Sequence, residues 1–117
     1  MEEYIRLINK TEDFINSNLN KNITLEDLAE NINMSKFHFH RIFSKYSDET
    51  IKQFIVRTKM ERSAIYLLVR KDINITEIAG RYGYSDSSSY SKAFKKYYKI
   101  SPSKFRIARN DMHKTSV

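Results

Sequence analysis

The chain has 117 residues and a mass of 13.9 kDa, which limits it to one ordinary domain or two very small ones that share a core. Hydrophobic residues make up 40% of it and charged residues 30%, so it can bury a core and does not have a disordered composition. Two glycines and one proline are too few for the turns of a many-stranded barrel or sandwich. The composition therefore predicts an all-α fold.

Several classes of protein are excluded by what the sequence lacks. Without cysteine there can be no disulfide framework, thiolate metal site or cysteine nucleophile. The longest apolar run, Ala64 to Val69, is far shorter than the roughly 18 residues that span a bilayer. Glu2 and Glu3 follow Met1, where a signal peptide would have basic and then apolar residues. We therefore expect a cytoplasmic protein that does not contact membranes.

Charge is distributed unevenly along the chain. The 21 basic and 14 acidic side chains give a net charge of +7 and a pI near 9.6. Residues 1–49 carry six basic and nine acidic side chains (net −3), whereas residues 50–117 carry fifteen and five (net +10). A strongly basic half indicates a polyanionic partner. Nucleic acid is favoured over membrane headgroups because no segment combines a basic face with an exposed apolar face.

Helical periodicity is present in the first part of the chain. Apolar residues at spacings of three and four predict a first helix over residues 3–18. Thr24, with Asp27 in the capping-box position, predicts the N-cap of a short helix that ends near residue 32. Ser35 is predicted to cap a third helix, to about residue 46, after a tight turn at Asn33–Met34. Two helices joined by so short a turn form a helix-turn-helix.

The second part of the chain predicts one long helix and three further helices. Residues 50–71 contain no glycine or proline and form the long helix. Thr76 is predicted to cap a short helix to about residue 82, and Ser85–Asp86 to begin another that reaches about residue 98. Pro102 occupies the first position of a last helix, where its missing N–H has no effect. This adds up to about seven helices, with a frayed tail after residue 109.

An internal repeat links the two parts. Leu28–Ala29 matches Ile78–Ala79 at an offset of 50, and residues 39–46 match residues 90–97 at an offset of 51. One extra residue must therefore lie close to Gly83. The predicted organisation is a first helix-turn-helix subdomain at 1–49, a linker helix at 50–71, a second subdomain at 72–109 and the tail at 110–117.

The linker helix suggests how the two motifs could act together. About 22 residues at roughly 1.5 Å each span about 33 Å, close to the roughly 34 to 36 Å between successive major-groove faces of B-DNA. Both motifs could then read one face of a duplex. A monomer of this kind would recognise an asymmetric two-part site.

Several strings in the sequence resemble the DNA-binding domain of AraC/XylS-type transcription regulators. They are Ser35–Phe43 in the first half, and Ile75–Ala79, Gly83–Asp86, Tyr90–Tyr97 and Ser101–Arg106 in the second. The resemblance covers about residues 3–109. It implies a seven-helix, two-motif domain acting on bacterial promoters in the cytoplasm, at the nucleoid, with RNA polymerase as a further partner. It fits both a stand-alone regulator of the small MarA/SoxS type and the N-terminal domain of a Rob-like regulator whose sensor domain follows.

Site residues follow from the resemblance position by position. Those matching base-contacting positions of the family are Phe37, His40, Arg41, Ser87, Ser88, Ser91 and Lys92. Lys36 matches a position beside the phosphates, and the basic side chains expected collectively to contact phosphates are Lys95, Lys96, Lys104 and Arg106.

The chain departs from better-known members of the family at four of its positions. Ser88 and Lys92 stand where Gln and Arg are common; serine bonds to any base edge, and lysine lacks the planar fork of arginine. We therefore expect the first motif to carry more of the base discrimination and the second more of the phosphate anchoring. Asp48 and Lys99 stand where glycine is usual, so each of these helix ends is expected to be strained unless its turn is rebuilt.

Catalysis, a metal site and a protein-interaction module are the alternatives to specific DNA binding. Catalysis is not supported, because the sequence has no phosphate-binding loop or nucleophile elbow, and no catalytic residue or cofactor is predicted. A metal site is not expected either, since His38 and His40 are two residues apart and face different directions on a helix. The second hypothesis is a basic protein-interaction module that binds RNA polymerase and has only non-specific affinity for DNA.

Overall fold

The computed structural model describes residues 1–115, with side chains for residues 1–109. Over this range the chain is all-helical and has no strand, which confirms the predicted fold class. The helices are α1 (Glu2–Ser17), α2 (Leu25–Asn31), α3 (Lys36–Tyr46), α4 (Ile51–Val69), α5 (Ile75–Arg81), α6 (Ser87–Tyr98) and α7 (Pro102–Thr115). None of the helices in the described range is long and apolar enough to cross a membrane.

The first two predicted N-caps are confirmed by hydrogen bonds. At the start of α2, Thr24 Oγ1 accepts from the Asp27 backbone N–H at 3.1 Å, and Asp27 Oδ2 accepts from the Thr24 N–H at 3.0 Å. These bonds lower the pKa of Asp27, since the carboxylate accepts the Thr24 backbone N–H. At the start of α3, Ser35 Oγ accepts from the His38 N–H at 3.1 Å. Each cap satisfies a backbone donor that has no partner within the helix.

The predicted limits of α4 and α5 need correction. Asn74, not Thr76, caps α5: its Oδ1 accepts from the Glu77 N–H at 2.8 Å, so the helix begins at Ile75. An asparagine amide reaches the N3 backbone group as well as a threonine hydroxyl does. α4 has 19 residues rather than 22, because Thr50 is its cap and the helix ends before Arg70.

The two outcomes expected for these helix ends, a strained residue and a rebuilt turn, occur at one end each. Lys99 adopts the left-handed conformation, with φ 68°, at the end of α6. Asp48 does not, because the C-cap of α3 falls one residue earlier, at Ser47, which is extended with φ −108° and ψ 138°. The Ser47 side chain then accepts from the Glu49 N–H, so the turn is rebuilt without a positive φ.

Replacing Lys99 by glycine is expected to raise the free energy of unfolding by about 1 kcal/mol. A left-handed conformation strains any residue with a Cβ atom and does not strain glycine. Thermal unfolding followed by circular dichroism checks this. Lys96→Gly, in the body of α6, is the matched control and should lower stability by about 1 kcal/mol. A less stable Lys99→Gly variant would show that Lys99 is not strained.

The chain divides into two compact units, residues 1–59 and 60–117, and the division falls within α4. In the first unit Phe43 stacks with Phe39 at 6.4 Å and meets the edge of Phe54 at 5.6 Å. In the second unit Tyr90 and Phe94 are fully buried. The four aromatic residues at equivalent positions of α3 and α6 are therefore core residues, as the periodicity predicted. α7 is helical as far as Thr115, but side chains beyond residue 109 lie outside the described residues, so the frayed tail stays a prediction.

A buried hydroxyl distinguishes the second core from the first. Tyr90 is fully buried, and its hydroxyl has no hydrogen-bond partner within the described part of the chain. Burial raises the pKa of this hydroxyl strongly, and the nearby Ser63 side chain offsets only part of that rise. The neighbouring Ser63 donates its own hydroxyl to the Met60 carbonyl at 2.9 Å. Phe39 occupies the equivalent position of the first unit and has no such polar atom.

Replacing Tyr90 by phenylalanine is therefore expected to raise the free energy of unfolding by about 1 kcal/mol, because it removes a buried polar group without leaving a cavity. The melting temperature should rise by about 4 °C. The reverse exchange, Phe39→Tyr in the first unit, introduces a buried hydroxyl and should destabilise the protein. A destabilised Tyr90→Phe variant would mean that the hydroxyl is bonded in solution.

Candidate nucleic-acid interface

The two short turns have the same backbone geometry. Met34 N–H donates to the Ala29 carbonyl, and Tyr84 N–H donates to the Ala79 carbonyl, both at 2.9 Å. Asn33 and Gly83, 50 residues apart, both have positive φ, at 54° and 86°. Asparagine and glycine are the residues that accept this conformation most readily. The same local turn structure therefore precedes α3 and α6.

The extra residue of the second motif can now be located. The turns match at an offset of 50 as far as Tyr84, whereas the caps of the following helices, Ser35 and Asp86, differ by 51. The insertion is therefore Ser85, just after the turn rather than within it. It leaves the turn unchanged. Asp86 Oδ1 accepts from the Ser89 N–H at 2.7 Å, and this bond lowers the pKa of Asp86.

α3 buries one face and exposes the opposite one. Phe39, Ile42 and Phe43 are buried in the first unit. The opposite face carries four exposed side chains at spacings of three and four, which we call the α3 stripe: Phe37, His40, Arg41 and Ser44. Phe37, His40 and Arg41 are predicted from the sequence, whereas Ser44 is not, although its spacing from His40 and Arg41 places it on the same face.

α6 carries an equivalent stripe, offset by 51 residues. The α6 stripe consists of Ser88, Ser91, Lys92 and Lys95. Three of its members are exposed, whereas Ser91 is half-buried. Ser87, the remaining predicted base contact, is half-buried at the start of the helix, and Lys96 is exposed beside the stripe. The α6 stripe offers small hydroxyls and flexible ammonium groups, and no planar donor.

The surroundings of the α3 stripe are polar and open. Lys36 Nζ lies 3.5 Å from Glu26 Oε1, and both side chains are about half exposed or more. Exposed pairs of this kind contribute little to stability, so Lys36 can exchange Glu26 for a phosphate at small cost. His40 Nδ1 lies 3.5 Å from Ser44 Oγ. His38 lies off the stripe, with Nε2 3.8 Å from Glu3 Oε2 of α1.

Arg106 lies in a different setting from the other predicted phosphate contacts. Its guanidinium donates to three backbone carbonyls at 2.9 to 3.1 Å, those of Leu67, Arg70 and Ile73. These carbonyls lie at the end of α4 and in the turn that follows. Lys104, by contrast, is exposed on the first turn of α7. The structure thus gives Arg106 a structural role as a cap of α4.

Comparisons with known proteins agree with this architecture. A family model described as a helix-turn-helix domain matches residues 28–108. The multiple antibiotic resistance protein MarA of Salmonella typhimurium is 34% identical over 103 residues, which cover 86% of this chain and 77% of MarA. The Msm operon regulatory protein of Streptococcus mutans is 38% identical over 99 residues, covering 85% of this chain and 35% of that protein.

Two further findings place the chain among its relatives. It spans about a third of the length of the Msm operon regulatory protein and of several other curated relatives. Among solved structures, the DNA-binding domain of AdpA in complex with a target DNA has the same fold. The TM-score is 0.74 at 20% identity, covering 93% of this chain and 94% of that one.

Proposed function

The chain belongs to the AraC-type helix-turn-helix family of DNA-binding transcription regulators, which are not enzymes, and from this premise we propose that it binds an asymmetric, two-part promoter site as a monomer. α3 and α6 each enter a major groove. The observation that carries the proposal is the pair of matching turns, at Asn33 and Gly83, each followed by a helix with an exposed stripe at equivalent positions. A chain with two DNA-contacting helices can cover both half-sites without forming a dimer.

In this proposal the two helix-turn-helix motifs make different kinds of contact with DNA. Arg41 on the α3 stripe can donate two parallel hydrogen bonds to a guanine, and His40 offers a further polar contact. The α6 stripe has Lys92 and Ser88 at the equivalent positions, which suits contacts with phosphates and less selective contacts with bases. The proposed phosphate contacts are Lys36, Lys95, Lys96 and Lys104. Arg106 is left out because its guanidinium already bonds to backbone carbonyls.

We propose further that the protein acts at the bacterial nucleoid and contacts RNA polymerase there. MarA and the lactose operon transcription activator of Staphylococcus xylosus are named for resistance and activation, respectively. A regulator that occupies promoter DNA in the cytoplasm meets polymerase there. We propose activation through such contact as the outcome of binding.

Selection from a randomised duplex library, with the bound fraction measured at two salt concentrations, tests this function. Enrichment of one asymmetric site of about 20 base pairs, with halves about one helical turn apart, is the expected result. Variation should be tolerated more in the half contacted by α6. Affinity should fall steeply with salt, because phosphate contacts release counterions. Salt-sensitive binding without enrichment would favour the alternative, a polymerase-binding module with non-specific DNA affinity.

A further inference from the structure

We propose that Phe37 makes the protein a reader of a single pyrimidine C5-methyl group in the major groove, close to the guanine contacted by Arg41. This inference rests on the proposed function, since it requires α3 to lie in the groove. The methyl group can belong to thymine or to 5-methylcytosine, because both carry it at the same place. The protein would then respond to cytosine methylation of its site.

Exposure of the Phe37 ring is the first observation. Phe37 is 71% exposed, the most of any aromatic side chain in the described residues, on the first turn of α3. The other two exposed aromatic residues, Tyr46 and Tyr97, are each 38% exposed and have bonded hydroxyls. Phe37 is thus an exposed ring with no polar atom. Keeping such a ring in water is unfavourable, and burying it on binding recovers that free energy.

The position of the ring indicates what would cover it. Residues near the start of a recognition helix contact base edges, and Phe37 is the second residue of α3. The rest of the α3 stripe is polar, so the ring does not belong to an apolar patch of the kind that docks another protein. Lys36 Nζ lies 5.4 Å from the ring centroid and places a cation beside it, as suits the edge of a phosphate-lined groove.

Base chemistry then restricts the target. The major-groove edges present hydrogen-bond donors and acceptors, and the one apolar group among them is the C5-methyl of thymine. A phenyl ring cannot donate or accept a conventional hydrogen bond, so it can discriminate bases only through that methyl group. Uracil and unmodified cytosine lack it and would leave the ring against a polar edge.

The spacing of Phe37 and Arg41 limits where the methyl group lies. Four residues along a helix correspond to about 6 Å, which is less than two steps of roughly 3.4 Å along one DNA strand. The methylated pyrimidine should therefore fall within about two base pairs of the guanine. α3 can therefore contact the methylated pyrimidine and the guanine together without a change in its conformation.

Removing one methyl group at a time from the selected duplex tests the proposal. Each thymine of the α3 half-site is replaced in turn by uracil, which removes one methyl group, and affinity is measured by fluorescence anisotropy. We expect one position at which the wild type loses about four-fold in affinity, the effect of one buried methyl group. Placing C·G and 5-methyl-C·G pairs at that position should give the same ratio in favour of the methylated duplex.

Variants separate this reading from DNA binding in general. Phe37→Ala should bind the thymine and uracil duplexes equally, and likewise the methylated and unmethylated cytosine duplexes; its exposure means that folding should be unaffected. Val69→Ala, which truncates an equally exposed apolar side chain at the end of α4, should keep the full sensitivity. Equal sensitivity of wild type and Phe37→Ala, or no sensitive position while duplex binding is retained, would overturn the proposal alone. No specific duplex binding by the wild type would overturn the proposed function.

Discussion

Arg106→Ala is expected to lower the free energy of unfolding by about 3 kcal/mol. The guanidinium bonds to the carbonyl of Leu67 at the end of α4 and to those of Arg70 and Ile73 in the turn that follows. Carbonyls at the end of a helix have no N–H partner within that helix. Hydrogen bonds from a charged donor contribute about 1.5 to 3 kcal/mol each, and losing three together exceeds the effect of one. The negative end of the α4 dipole also favours a cation here. Urea unfolding followed by circular dichroism measures the change.

Two variants make this prediction specific to the three bonds. Lys104→Ala removes a positive charge from the same helix, but Lys104 is exposed, and so stability should change by less than about 0.5 kcal/mol. Arg106→Lys keeps the charge on a single nitrogen that cannot follow the arrangement of all three carbonyls, and an intermediate loss is expected. Near-wild-type stability of Arg106→Ala would contradict the capping role and return Arg106 to the phosphate contacts.

Arg41→Ala is expected to weaken binding to the selected site by about 10-fold to 100-fold, the range for loss of a bidentate arginine–guanine contact. The variant should also accept other bases at one position of the α3 half-site. Because Arg41 is exposed on the α3 stripe, the thermal stability of the Arg41→Ala variant should match that of the wild type. Binding curves on the selected duplex, and on duplexes with each base at that position, give both quantities.

Lys92→Ala is the matched control in the second motif, since Lys92 stands at the position equivalent to Arg41. An unselective ionic contact of Lys92 with DNA predicts weaker binding to all duplexes alike and a salt dependence reduced by about one counterion. If Arg41→Ala kept its affinity and selectivity, α3 would not be the base-reading helix. If Lys92→Ala instead relaxed selectivity at one base pair, the proposed division between the motifs would be wrong.

Local sequence signals were sufficient for most of the fold. Thr24 and Ser35 were predicted as caps from residue type and spacing, and each accepts a bond from the backbone N–H three residues on. The predicted start at Ser85–Asp86 resolves to Asp86 as the cap of α6. Asn74 was missed in favour of Thr76 because both residue types can cap, and the burial of Ile78 in the core helps to fix where the helix begins. The sequence left open whether Asp48 is strained or its turn is rebuilt, and the serine at the preceding position provides the rebuilt end of α3.

The sequence by itself determined the helices, the two matching turns and the exposed stripes, because these depend on bonds and spacings within about four residues. The tertiary structure alone decided the role of Arg106, whose bonded carbonyls lie 33 to 39 residues away along the chain. It likewise decided that the Tyr90 hydroxyl is buried without a partner among the described residues. A basic or phenolic side chain looks the same in a sequence whether it faces solvent or a distant backbone, and only packing distinguishes the two.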